Sequence, residues 1–258
     1  MLKKFFAAAL ISIAAALISG CSAQEEQLPE LVIGCDDYRP YCYIDEDGEF
    51  AGLNVEIAQE VCERMGYKPV FEQIEWSQRD ALLESGGIDC LWSCIAIDGQ
   101  EERYTWIPYM TTRQVVVVTN DSPIQHLSEL EGKSVAVRVS SRTEEIFLDQ
   151  SEPGVPAVEN VYCMTDLGDA VTALRNDYVD ACAGYAAALR EQLDIVGVDY
   201  RVLDEDLVHA SLGVAFSKDC DFQVVGEMSQ ALSEMRSDGT LKEIIGKYVN
   251  AEKALGDS

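Results

Sequence analysis

What most restricts this chain is an order of hydrophobic periods that runs once and then runs again. From Leu31 a short apolar strand breaks at Gly34 into a loop of acids, tyrosines and proline, and Asp45-Glu46-Asp47-Gly48 makes a turn. Leu53, Val55, Ile57, Ala58, Val61, Cys62 and Met65 recur near helical spacing, and Gly66 closes that helix. Lys68 to Ile74 alternates as a strand does, Arg79 to Glu84 reads as a helix ended by Gly86-Gly87, and Ile88 to Ile97 reads as another strand. The β-branched run Val115 to Val118 suits a buried strand or a crossing between lobes. The alternation then restarts. Ser134 to Val139 is a strand, Ser140-Ser141-Arg142-Thr143 opens a helix, Val161 to Met164 is a strand, Leu167 to Leu174 is helical and Tyr178 to Ala183 is a strand. Leu212 to Phe216 returns as a strand ahead of helices over Val224 to Met235 and Leu241 to Tyr248. Two such sets with a late return predict an α/β fold of two lobes joined by two crossings. Loops at the C-terminal ends of such strands are where open α/β sheets hold ligands.

Ahead of this pattern Lys3 and Lys4 precede an apolar run from Phe5 to Ile18 that ends in Ser19-Gly20-Cys21. A membrane span needs roughly 20 apolar residues, and this run is shorter, so residues 1–20 read as a signal peptide closed by a lipobox. Acyl chains on Cys21 contribute about 0.8 kcal/mol per buried methylene, and two or more of them anchor stably. Residues 21–29 carry no apolar period and read as a lipidated tether. The expected location is extracytoplasmic, held to the cell membrane by lipid.

Lys3 and Lys4 leave with the leader, so 17 basic side chains face 46 acidic ones and the mature chain carries −29. Such a surface repels phosphate backbones, which argues against nucleic acid as a partner. Beyond Cys21 there are eight cysteines, an even number that permits disulfides in an exported chain but leaves the pairing open. Zinc is disfavoured: there is no CxxC pair, and His126 and His209 lie far from any cysteine cluster.

The order of short motifs resembles the bacterial extracellular solute-binding proteins of family 3, which serve polar amino acid ABC transporters. The likeness runs from Leu31 to Tyr248 and rests on Ile33-Gly34, Tyr38-Arg39-Pro40-Tyr41, Gly52-Leu53-Asn54-Val55-Glu56-Ile57-Ala58, Gly87-Ile88-Asp89-Cys90, Pro108-Tyr109, Gly132 to Val137, Tyr178-Val179-Asp180-Ala181 and Asp238-Gly239-Thr240-Leu241. The resemblance implies a two-lobed, periplasmic-binding-protein-like fold of type II. Lobe one would comprise residues 31–117 and 213–258, and lobe two residues 118–212. The cleft would close on an amino acid or related small polar solute, and the closed form would dock on ABC permease subunits. A monomer without cofactor or metal is expected.

The same resemblance places aromatic ligand contacts at Tyr38 and Trp76, with Tyr41 close by. It places contacts to the ligand's amino group at Ser93, Cys94 and Ala96, where two expected hydroxyls are replaced. The family's carboxylate-gripping arginine falls, by direct count, on Glu101, with Arg103 the nearest guanidinium. Its lobe-two acid falls on Tyr185. From the residues alone, the hydroxyls and free N–H groups of Ser141, Arg142 and Thr143 at a helix start make an anion site, and the same hydroxyls serve as ordinary caps. Whether Arg103 or Arg142 takes a carboxylate stays open, as does the solvated-loop reading of Arg103. Two other functions compete: a ligand sensor for a membrane receptor, and a dehydratase or lyase on the same fold, for which His209 is the one candidate histidine.

Overall fold

The long β-branched run organises everything around it. The structure, a computed structural model, describes residues 28–256. In chain order β1 (Glu30–Cys35), β2 (Tyr43–Ile44), β3 (Phe50–Ala51), α1 (Leu53–Met65), β4 (Lys68–Gln73), α2 (Arg79–Ser85) and β5 (Cys90–Leu91) form the first set. β6 (Thr105–Thr119) leaves it for β7 (Ser134–Arg138), α3 (Arg142–Asp149), β8 (Asn160–Met164), α4 (Leu167–Arg175), β9 (Ala181–Tyr185), α5 (Ala186–Val196) and β10 (Tyr200–Val202). β11 (Val208–Phe216) returns to α6 (Phe222–Asp238), α7 (Thr240–Gly246) and α8 (Ala251–Leu255).

The strands pair in the order β4-β1-β5-β11-β6-β9-β7-β8, with β10 also on β6. β1 and β4 run parallel from Glu30↔Lys68 to Cys35↔Gln73, as do β7 and β8, which is the outcome of strand–helix–strand connections. β6 and β11 are the two crossings, antiparallel to each other over most of their length, with a register shift at Leu212/Gly213. Gln114–Val117 of β6 already pair with β9 of the second set. The limit drawn between residues 117 and 118 therefore cuts a strand that both lobes share.

The helices form where the apolar period is helical. α1 buries Leu53, Val55, Ile57, Ala58, Val61 and Cys62 and ends at Gly66, whose φ of 73° is left-handed. Ser141 caps α3 by accepting from Glu144 N–H, and Asp166 caps α4 the same way. Two expectations are corrected, and one helix is new. Ile88 to Ile97 is not one strand: only Cys90 and Leu91 form β5, which meets β11 at a single pair, Ala215↔Leu91, and Ala96 bridges Leu212 of β11 on its own. Ile88 and Trp92 to Ala96 stay buried by packing, and Ile97 N–H donates to Ser211 O at 2.8 Å. The strand read at Tyr178 begins instead at Ala181 and extends to Tyr185; Tyr178 is exposed. α5, over AAALREQLDIV, was not anticipated, since its alanines blur the apolar period.

Among the described residues no helix is long and apolar enough to cross a membrane. Cys21, the leader and most of the tether lie outside the described residues.

Candidate functional site

The site begins with how the first loop is held. Beyond β1 the chain folds back, with Tyr38 N–H donating to Cys42 O at 2.7 Å and Tyr41 N–H donating to Tyr38 O at 2.9 Å. The loop then caps α1 with its own carbonyls: Leu53 N–H donates to Pro40 O at 3.0 Å and Asn54 N–H to Tyr41 O at 2.8 Å. Gly52, at φ 119°, makes this docking possible, since a Cβ there would stand 2.6 Å from Tyr41 O. The sequence Gly52-Leu53-Asn54 thus fixes the loop that carries Tyr38.

Between the lobes lies a cavity of about 480 Å³. Lobe one contributes Tyr38, Trp76, Arg79, Cys94, Ala96 and the loop from Asp98 to Arg103. Lobe two contributes Arg138 to Arg142, Glu145 and Tyr185. Eight of the expected residues therefore share one wall system: Tyr38, Trp76, Cys94, Ala96, Arg103, Ser141, Arg142 and Tyr185. The other three stand back from it. Tyr41 is fully buried beneath Tyr38, ring centroids 6.2 Å apart, because the loop turns it inward onto Thr112 at 3.3 Å. Ser93 is buried and donates its hydroxyl to Asp36. Thr143 lines a small void behind Tyr185, of about 10 Å³, together with Gln114 and Arg138.

Beneath the cavity floor lies a polar network that sequence reasoning missed. Arg138, the last residue of β7, reaches across from lobe two and donates to Asp36 Oδ2 at 2.5 Å. Its guanidinium carbon stands 4.7 Å from the centroid of the Tyr38 ring, so the protein's own cation covers part of the aromatic shelf. Asp36 is 4% exposed and follows β1 directly. Both sit just at or past the C-terminal end of a parallel strand, and that rule was the available signal. Burial pushes the phenols of Tyr38 and Tyr185 and the thiol of Cys94 well up, so all three are neutral walls. Tyr185 meets Tyr38 edge-on at 6.3 Å and shares the small void with Gln114, whose Oε1 has no partner.

Four guanidiniums line the cavity, and three are already answered. Arg138 holds Asp36, Arg103 holds Asp80, and Arg142 holds Glu145 at 3.0 Å and Glu152 at 3.7 Å. Arg79 stacks on Trp76, 4.6 Å from the ring centroid, and donates to Trp76 O at 2.9 Å. Among the described residues no carboxylate lies within ion-pair distance of it, and its Nε has no partner. Arg79 was not among the expected residues. Glu101 lies on the rim, its carboxyl held below the usual range by backbone N–H groups of Glu101 and Gly99. His209 is 80% exposed beside Asp206 and is not on the cavity wall, which corrects its candidacy as a cleft acid or base. One contact joins the lobes at the outer edge: Trp76 Nε1–H donates to Ser140 O at 3.4 Å.

Residues 31–251 match the sequence profile of the bacterial extracellular solute-binding proteins, family 3. The chain belongs to that family. Among family relatives, the probable amino-acid-binding protein YxeM of Bacillus subtilis is 26% identical over 95% of this chain and 93% of its own. The arginine-binding extracellular protein ArtP of the same organism is 27% identical over 91% and 92%. The solved structure of Tv2483 bound to L-arginine superposes with a TM-score of 0.78 at 25% identity, covering 89% of this chain and 94% of that one. The two-lobed type II fold implied by the motif order is thus the fold of this family member, and the cavity lies in the cleft between its lobes.

Proposed function

We propose that this solute-binding protein captures an amino acid or a related small polar solute outside the cytoplasm and presents it, with its lobes closed, to the permease of an ABC importer. The observation that carries this reading is the cavity itself: about 480 Å³, walled by both lobes, with an aromatic shelf on one side and a helix start on the other. In this reading Trp76 and Tyr38 cover the apolar part of the solute. Arg79 takes its carboxylate, since the other three cleft guanidiniums are paired within the protein. Ser141 and the N-terminus of α3 receive a second polar group. Lipidation of Cys21 would hold the monomeric protein at the membrane, and no catalytic group is assigned.

A thermal-shift screen of amino acids, amines, small peptides and organic acids tests this. A true ligand stabilises the folded form by about 2.7 kcal/mol at a hundredfold excess over Kd. Turnover of a compound in the absence of any stabilising solute would instead identify an enzyme.

A further inference from the structure

Cys35 and Cys42 stand on the two arms of the loop that carries Asp36 and Tyr38, and the fold buries both in one small apolar cluster. β1 delivers Cys35 to the start of the loop, and the paired backbone hydrogen bonds between Tyr38 and Cys42 return the chain beside it. In the structure both are thiols, each 1% exposed, and together with Val55 they form a separate apolar cluster against Phe50 and Phe71. Cys62 and Cys90 belong instead to the main core. Neither Cys35 nor Cys42 lines the cavity, so the binding site does not use them as ligand contacts.

We propose that Cys35 and Cys42 form an intramolecular disulfide in the exported protein, a staple that fixes the loop presenting Asp36 and Tyr38 to the cleft. The oxidant is a disulfide, either of a small thiol or of a thiol oxidase. One cysteine thiolate attacks an oxidant sulfur and expels the first thiol, and the other cysteine attacks the mixed disulfide and expels the second. The protein gives up two protons and two electrons, and the oxidant becomes two thiols. The neighbouring Cys35 thiol, and then burial, push the Cys42 thiol up, so the thiolate is scarce once the loop has closed. The bond therefore forms while the chain is still open, and the apolar cluster afterwards shields it from reductants. Because the closed loop is short, the gain in global stability is modest and the main effect is local.

The full chain is produced with its own leader in an export-competent bacterium, and cells are lysed directly into an alkylating agent. The denatured protein is cut by a protease specific for the N-terminal side of aspartate. Cleavage at Asp36 and Asp37 separates the two cysteines, so a disulfide alone keeps their peptides together until reductant is added. That result is expected. Alkylated Cys35 and Cys42 without prior reduction, or either one joined to a different cysteine, overturns the proposal. As a second readout, dithiothreitol is expected to lower the melting temperature of the wild type and to leave Cys35→Ala/Cys42→Ala unmoved. An equal response in both overturns it as well. If the double variant does not fold, the peptide mapping of the wild type decides by itself.

Discussion

The floor and the rim of the cleft are built on opposite terms. At the floor Tyr38, Tyr185 and Arg138 line the cavity, and beneath them Asp36, largely removed from water, is answered from two sides, by Ser93 and by Arg138. On the rim Glu101, Glu102 and Arg103 are exposed, and Arg103 is held by Asp80 outside the cavity core. A buried ion pair is costly to break because the survivor stays uncompensated, while an exposed pair is worth little. The floor is therefore where the lobes are keyed to each other. Between floor and rim, Arg79 stacks on Trp76 with no carboxylate among the described residues within ion-pair distance, and under the proposed function it is the position from which specificity would be set.

The largest effect is expected at the floor. Asp36→Ala leaves Arg138 without its carboxylate and should cost about 3 kcal/mol of stability, read as a fall in the urea midpoint. Asp36→Ala/Arg138→Met should regain a substantial part, because both charges are then gone. A single-variant loss below about 0.5 kcal/mol would put the pair in the surface class and erase the distinction between floor and rim.

The middle position comes next. Trp76→Ala should weaken solute binding by about tenfold or more, through lost aromatic cover, while its half-exposed side chain keeps the stability change below about 1 kcal/mol. Arg79→Gln should cost a similar factor and abolish the preference for a carboxylate, since hydrogen bonds to charged groups are worth about 1.5–3 kcal/mol. Arg103→Gln should change affinity by no more than about twofold. Titration calorimetry with a carboxylate solute and its amide separates these outcomes, and a reversed order for the two arginines would return the anchor to the rim.

How much of this was legible follows the same division. The alternating periods gave the lobes and both crossings, because a face buried on one side forces a period and Gly66 or Ser141 marks an end. Tyr38 and Trp76 were placed by the resemblance in motif order and Arg142 by the helix-start signal of Ser140 to Thr143, and all three line the cavity. Asp36 and Arg138 were not, because their value comes from a contact 102 positions apart that no local spacing reports. Arg79 was missed for a related reason: nothing in the neighbouring residues shows that three other guanidiniums are already paired. Tyr41 was assigned to the wall by proximity to Tyr38, yet the carbonyl capping of α1 turns it underneath.

The smallest expected effect tests whether an exposed carboxylate with good partners behaves like the floor or the rim. Asp238 accepts from Thr240 N–H at 2.9 Å and Thr240 Oγ1 at 2.7 Å, and Arg64 donates to its other oxygen at 2.7 Å. Those hydrogen bonds, from Thr240 first, lower its pKa from 3.8 to about 2. A carboxyl whose folded pKa is depressed stabilises fully above its unfolded pKa, and the contribution is lost as pH falls through the folded one. The melting temperatures of wild type and Asp238→Asn should therefore differ above pH 3.8 and converge as the pH approaches about 2. A gap that stays constant across that window would mean that Asp238 acts as a neutral cap of α7, and that its charge contributes no more than those of the cleft rim.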